Sequence, residues 1–198
     1  MKKLRPKFFK YQIKKLKLNL KYKLTKIDFR GYYSANNLGI AESGATGYEP
    51  CYNIVKYLKK CKPTANDSFL DLGSGKGCAQ YYARKFAFSK IDGVELSKQL
   101  YDVSVQNAKI IGDQRIHMFN EDFVKFDKYN DYNFFFLYNP CFENAMQAVA
   151  KKIRASFDAT KKRTVVIYNT AKFKDLFLNL GFKVLYNHKN DYILELKW

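Results

Sequence analysis

The chain has 198 residues and 47% of them are hydrophobic, enough for one domain with a buried core and too many for wholesale disorder. No apolar run approaches the roughly 18 residues of a membrane-crossing helix, and the longest aromatic-aliphatic stretch, Phe134 to Tyr138, has five. The net charge is +18, and four cysteines (Cys51, Cys61, Cys78, Cys141) without CxxC spacing, beside two histidines, support neither a disulfide framework nor a metal site.

The chain opens on a basic arm. Residues 1–30 hold twelve basic residues and one acid, Asp28, whereas residues 31–198 hold 24 basic and 17 acidic. Such an arm suits an acidic partner: nucleic acid, an anionic membrane surface or an acidic protein. Lysine outnumbers arginine 30 to six, a balance that disfavours bidentate reading of bases and also fits a simple compositional bias. Phe9, Ile13, Leu16, Leu20, Leu24 and Ile27 recur at spacings of three and four, so a helix is expected. Its apolar face is expected to pack on the domain; the alternative is a basic amphipathic helix lying on a membrane. Lysine and arginine interrupt any apolar core, so no cleaved leader is expected, and the cysteine pattern points to a reducing, cytoplasmic location.

Residues 31–49 carry Gly31, Gly39, Gly44 and Gly47 and read as a loop or lid. The division expected is an arm and lid over 1–47 and a main domain over 48–198. Pro50 is expected to open a helix through Cys51, Ile54, Val55, Leu58 and Cys61, which Pro63 ends. A strand over 68–72 precedes a glycine-rich turn and a helix over 80–88. A second strand over 90–95 leads to a helix capped by Ser97 and reaching Ile110. A third strand surrounds His117 and a fourth covers 133–138. A helix over 143–157, a fifth strand over 164–169 and a short helix ended by Gly181 follow. Strands separated by helical segments imply βαβ units and a parallel sheet. The segments 182–187 and 192–198 have only a short turn between them, so they form an antiparallel hairpin. The fold class is therefore α/β: a Rossmann-like three-layer sandwich around a mostly parallel seven-stranded sheet, with an antiparallel C-terminal hairpin and a basic helical arm.

The most informative stretch is Phe69-Leu70-Asp71-Leu72-Gly73-Ser74-Gly75-Lys76-Gly77, which joins the first strand to a helix, where open α/β sheets bind ligands. A phosphate loop would need Ser or Thr after Lys76, where Gly77 stands. A dinucleotide fingerprint would need glycine at Cys78. Asp71 would repel a pyrophosphate but suits a ligand bearing an ammonium group. An adenosyl cofactor with an amino-acid tail and no phosphate, S-adenosyl-L-methionine, meets that description. Glu95 ends the second strand, 20 residues after Gly75, where an acid accepts from two ribose hydroxyls. Asp122 follows the third strand, placed to accept from an adenine amino group while Phe123 packs beside the base.

At these residues the chain resembles the class I, seven-strand S-adenosylmethionine-dependent methyltransferases over about residues 48–198: FLDLGSGKG (69–77), GVELS (93–97), NEDF (120–123), LYNP (137–140) and the terminal hairpin. The Tyr48-Glu49-Pro50 element is similar to one in a small bacterial group related to seven-strand protein-lysine methyltransferases. The resemblance implies that Asp71, Gly73, Ser74 and Gly75 hold the methionine part, Glu95 and Leu96 the ribose, and Asp122 and Phe123 the adenine. Tyr48 and Glu49 would approach from the lid side. Tyr138-Asn139-Pro140-Cys141-Phe142 is similar to the Asn-Pro-Pro-aromatic motif of enzymes acting on amino groups, with Cys141 at the second proline. Tyr138, Asn139 and Pro140 are then the expected catalytic residues, with Asn139 also beside the cofactor. The activity implied is N-methylation, with a protein lysine as the favoured acceptor. RNA bound through the arm, or a non-catalytic S-adenosylmethionine-binding module, are the alternatives. Cys141 is not expected to act as a nucleophile, and no role is expected of His117 or His188.

Overall fold

The structure, a computed structural model, describes residues 6–39 and 47–198, with side chains from residue 12 onward. Gly44 of the expected loop and the Phe9 side chain of the expected helical face lie outside the described residues.

The arm forms helix α1 (Pro6–Thr25). It ends where Lys26 turns left-handed, with φ of 61°. The apolar stripe, however, does not pack on the domain. Ile13, Leu16, Leu20 and Leu24 are 39%, 69%, 55% and 76% exposed, and only Ile27, beyond the helix, is buried. At about 100° per residue, Leu18, Asn19, Lys21 and Tyr22 lie away from that stripe, and these are the half-buried ones. The surface they meet is aromatic. Lys21 Nζ lies 3.2 Å from the Tyr81 ring centroid and 4.6 Å from that of Phe29. Tyr22 stacks under the Arg30 guanidinium at 3.5 Å. Cation–π contact thus selects the lysine-bearing face rather than the leucine-bearing one.

The chain then anchors itself. Ile27 and Phe29 are buried with Cys78. Asn107 accepts from the Asp28 N–H (2.8 Å) and donates to the carbonyls of Asp28 (3.0 Å) and Lys76 (2.9 Å). Tyr33 bridges Tyr48 across the loop.

The main body comprises α2 (Ile54–Cys61), β1 (Asp67–Leu72), α3 (Cys78–Ala83), β2 (Phe88–Glu95), α4 (Lys98–Ile111), β3 (Ile116–Asn120), β4 (Phe134–Tyr138), α5 (Glu143–Thr160), β5 (Thr164–Asn169), α6 (Lys174–Leu178), β6 (Lys183–His188) and β7 (Asp191–Leu196). Two helices depart from expectation. Helix α2 starts at Ile54 rather than Pro50, and the Cys51 carbonyl instead accepts from the Cys78 thiol at 3.0 Å. Helix α3 stops at Ala83, because Phe88 already belongs to β2, where its ring packs 5.4 Å from Phe69 and 5.3 Å from Phe134.

The sheet order is β3-β2-β1-β4-β5-β7-β6. The first five strands pair in parallel, and β7 runs antiparallel to both β5 and β6. Both faces are covered, as parallel sheets require. Phe69, Phe134, Phe136 and Ile167 pack beneath Ile54, Tyr57 and Ala79 of α2 and α3. Leu70, Leu137, Val166 and Tyr168 pack against Val149 and Ile153 of α5 and Phe177 of α6. The three-layer architecture and the terminal hairpin are as the sequence predicts. Among the described residues no helix is long and apolar enough to cross a membrane.

Candidate active site

The site lies at the carboxyl ends of β1, β2 and β4. Beyond Leu72 the chain turns through Gly73 and Gly75, both left-handed with φ of 87° and 54°. The Gly73 and Ser74 N–H groups both donate to the Val94 carbonyl, at 2.9 and 3.0 Å, which moors the turn to β2. Glycine is needed at 75 for a second reason. A Cβ there would stand 2.4 Å from the Tyr48 ring, and one at Gly73 would stand 3.0 Å from Pro140. Tyr48 is 5% exposed and donates to the Phe29 carbonyl at 3.3 Å, so the lid residue bears directly on the turn.

Glu95 braces the turn from the other side. One carboxylate oxygen accepts from Gly75 N–H and the other from Ser97 N–H, each at 2.7 Å. Asp71 and Glu95 are 3% and 5% exposed, and both line a cleft of about 300 Å³. Burial, followed by the neighbouring Glu95 charge, pushes the Asp71 carboxyl well above its ordinary value, while Gln80 pulls against this. Burial also raises Glu95, opposed by its backbone donors. Among the described residues no lysine, arginine or histidine pairs with either acid.

Lys76, within the same turn, points away. It is 3% exposed, donates to the Arg30 carbonyl at 2.7 Å and sits 3.6 Å from Asp28. It is therefore spent on the arm. Among the described residues, the bed of the cleft carries two buried acids and no cation, which repels phosphate and favours a positively charged ligand. Ser74 Oγ is buried in the wall and has no hydrogen-bond partner among the described residues, a further opening for a polar ligand.

The third acid lies on the far side. Asp122 accepts from Val124 N–H at 2.8 Å through Oδ1, and Phe123 beside it is 8% exposed. Both line the cleft with Leu96 and Leu100. At the opposite end β4 gives way to Asn139, which is left-handed (φ 41°), then to Pro140 and Cys141. Tyr138 OH donates to Glu49 at 3.3 Å, and Glu49 also pairs with Lys14 at 3.7 Å. Burial pushes the Cys141 thiol up to about 12, which leaves it no nucleophile at neutral pH.

The cleft thus unites Tyr48, Glu49, Asp71, Gly73, Ser74, Gly75, Glu95, Leu96, Asp122, Phe123, Tyr138, Asn139 and Pro140. Sequence reasoning missed Tyr32 and Thr170, which also line it. His117 lies elsewhere, on β3 beside Asp92, and His188 is exposed on β6. Among the described residues no three His, Cys, Asp or Glu side chains cluster to hold a metal.

No family model and no curated protein matches the sequence. Solved structures do match the fold. An rRNA methylase from Streptococcus thermophilus is 13% identical with a TM-score of 0.55, over 76% of this chain and 96% of that one. An RNA methyltransferase from Salinibacter ruber, in complex with S-adenosyl-L-homocysteine, is 17% identical with a TM-score of 0.52, over 75% and 92%. A ribosomal protein L11 methylase from Lactobacillus delbrueckii subsp. bulgaricus is 11% identical with a TM-score of 0.53, over 71% and 75%. The chain has the seven-strand fold of the class I methyltransferases.

Proposed function

We propose that the protein is an S-adenosylmethionine-dependent methyltransferase that acts on nitrogen, with the ε-amine of a protein lysine as acceptor. The observation that carries the reading is the bed of two buried, cation-free acids beneath a left-handed glycine turn. Bound there, the cofactor supplies a methyl group already activated by its positive sulfonium. Asp71 with the 73–75 turn faces the ammonium end, Glu95 the ribose, and Asp122 with Phe123 the adenine. Ser74 Oγ gains a polar partner.

The protein's own work is alignment and exclusion of water. Tyr48 closes on the turn from the lid side. Glu49 sits at the mouth, where it already holds one lysine ammonium, that of Lys14, at 3.7 Å. An incoming lysine is drawn by the same charge, gives one ammonium proton to solvent water at the open mouth and so becomes nucleophilic, and presents its nitrogen to Asn139 and the Pro140 carbonyl. Tyr138 keeps Glu49 in place.

A second reading, RNA as acceptor, has its own support. A cavity of about 490 Å³ shares Tyr32 and Glu49 with the cleft and is lined by Lys14, Lys15, Arg30 and Tyr52. Cations beside rings suit phosphates and stacked bases. Titration calorimetry with S-adenosylmethionine tests the cofactor; absence of saturable binding overturns the whole reading. Transfer of labelled methyl into a cell lysate, divided between protease and nuclease, then decides the acceptor. Label lost to protease supports lysine, label lost to nuclease supports RNA, and cofactor binding without transfer leaves the non-catalytic module.

A further inference from the structure

Helix α1 is tied down on one side and bare on the other. Its inner side holds Leu18, Lys21 and Tyr22 against the domain. Its outer side presents Ile13, Leu16, Leu20 and Leu24, up to 76% exposed, as one unbroken row. Exposed Lys17 and Lys23 border that row on either flank, given about 100° per residue. Four aliphatic side chains in line, facing water and edged by ammonium groups, form a surface that nothing among the described residues covers.

We propose that this face of α1 docks the protein on an anionic lipid bilayer. Charge selects the occupant. Residues 1–30 carry twelve basic residues against one acid, so a second copy brought against this face would set two strongly positive arms together. RNA phosphates would satisfy the lysines but offer nothing to the leucines. An anionic bilayer answers both: its headgroups attract the lysines, and its acyl boundary accepts the leucines. Lys17 and Lys23 lay their methylene stems beside the row and keep their ammonium groups among the headgroups. The helix is about 10–12 Å across, and its inner side walls the cavity beside the cleft through Lys14, Lys15 and Leu18. The docked protein therefore holds that cavity close to the lipid surface. The inference stands apart from the methyl-transfer reading and needs no cofactor.

Vesicle co-sedimentation of the full chain tests it, with phosphatidylcholine alone and with a third of the lipid replaced by phosphatidylglycerol. The expected result is sedimentation with the anionic vesicles only. The combined variant Leu16→Ser, Leu20→Ser and Leu24→Ser is expected to lose at least tenfold in affinity with an unchanged circular dichroism spectrum. A second variant, Lys17→Glu with Lys23→Glu, is expected to lose the preference for anionic lipid. The proposal fails if the wild type stays in the supernatant or if the serine variant sediments as well as the wild type. It also fails if both proteins bind oligouridylate equally and more tightly than vesicles at the same salt, which would make the face an RNA surface. Serine-sensitive dimers in sedimentation velocity, without vesicle binding, would assign the row to a second copy.

Discussion

Asp71 is where the cleft's chemistry and the protein's stability oppose each other. Its ionised form is costly in the free protein, through burial first and the Glu95 charge second. Asp71→Asn is expected to raise the thermal midpoint of the free protein while weakening S-adenosylmethionine binding. One charge-assisted hydrogen bond is worth about 1.5–3 kcal/mol, or roughly 10–150-fold in affinity. Calorimetry and thermal denaturation read the two halves, and a variant that loses stability together with affinity would contradict the assignment. The pH dependence follows the same sign. Asp71 and Glu95 both have folded values above those of an unfolded chain, which titrates at about 4. The folded protein therefore binds more protons between the two values. Stability contributed by this pair falls as pH rises through that window and stays low above it. Asp113 opposes this at lower pH, because its hydrogen bond to Arg115 holds its carboxyl down. Cofactor affinity should run the other way, weaker on acidification as the acids lose the charge that attracts an ammonium group. The acids are legible in the sequence because each ends or follows a strand beside a break in the apolar pattern. Tyr32 and Thr170 are not, since distant pairings deliver them. The Tyr33–Tyr48 bridge carries Tyr32 to the glycine turn, and the pairing of Tyr138 with Asn169 sets Thr170 beside Asn139.

Among the elements, the arm and the glycine turn share one fastening. The Lys76 ammonium joins the Arg30 carbonyl and Asp28 beneath the rings of Tyr33 and Tyr48, at 5.0 and 5.7 Å. Lys76→Met removes the donor and leaves the Arg30 carbonyl unanswered. A loss of about 1.5–3 kcal/mol is expected by urea unfolding, at the lower end because Asp28 keeps its pair with Arg30. Trypsin should also nick the variant faster at Lys26 and Arg30, and an unchanged nicking rate would remove Lys76 as the fastening. The sequence locates nearly every element, since periodicity and turn residues agree along 64–198. Its errors have a common source. Burial in α1 and the ends of α2 and α3 are set by partners distant in the chain: the rings that attract Lys21, the Cys78 thiol on the Cys51 carbonyl, and the Phe69 and Phe134 rings around Phe88. A helical stripe reveals that a face is apolar and not which surface will cover it.

For the molecule as a whole, all four cysteines are free and buried. Burial pushes the thiols of Cys51 and Cys61 up to about 12, as it does Cys141. A thiol-reactive dye at neutral pH is therefore expected to label the native protein negligibly and to titrate four groups in denaturant. Rapid native labelling would mean that the sheet and its helices open far more readily than their packing implies. The topology was legible at this scale because alternating strands and helices enforce right-handed parallel crossovers, and two strands joined by a short turn force one antiparallel pair.

That hairpin also dictates the order of assembly. Strand β7 is made after β6 yet lies inside it, between β5 and β6. Every residue of β5 is buried, whereas β6 is mostly exposed and, among the described residues, pairs only with β7. A growing polypeptide that has emerged as far as β6 therefore carries a raw hydrogen-bonding margin along β5 and an outer strand with nothing to hold. Both are healed at one stroke when residues 191–196 slide into the gap. A premature stop before Asp191 would accordingly yield not a slightly shorter version of the same fold but a species inviting strand addition from its neighbours.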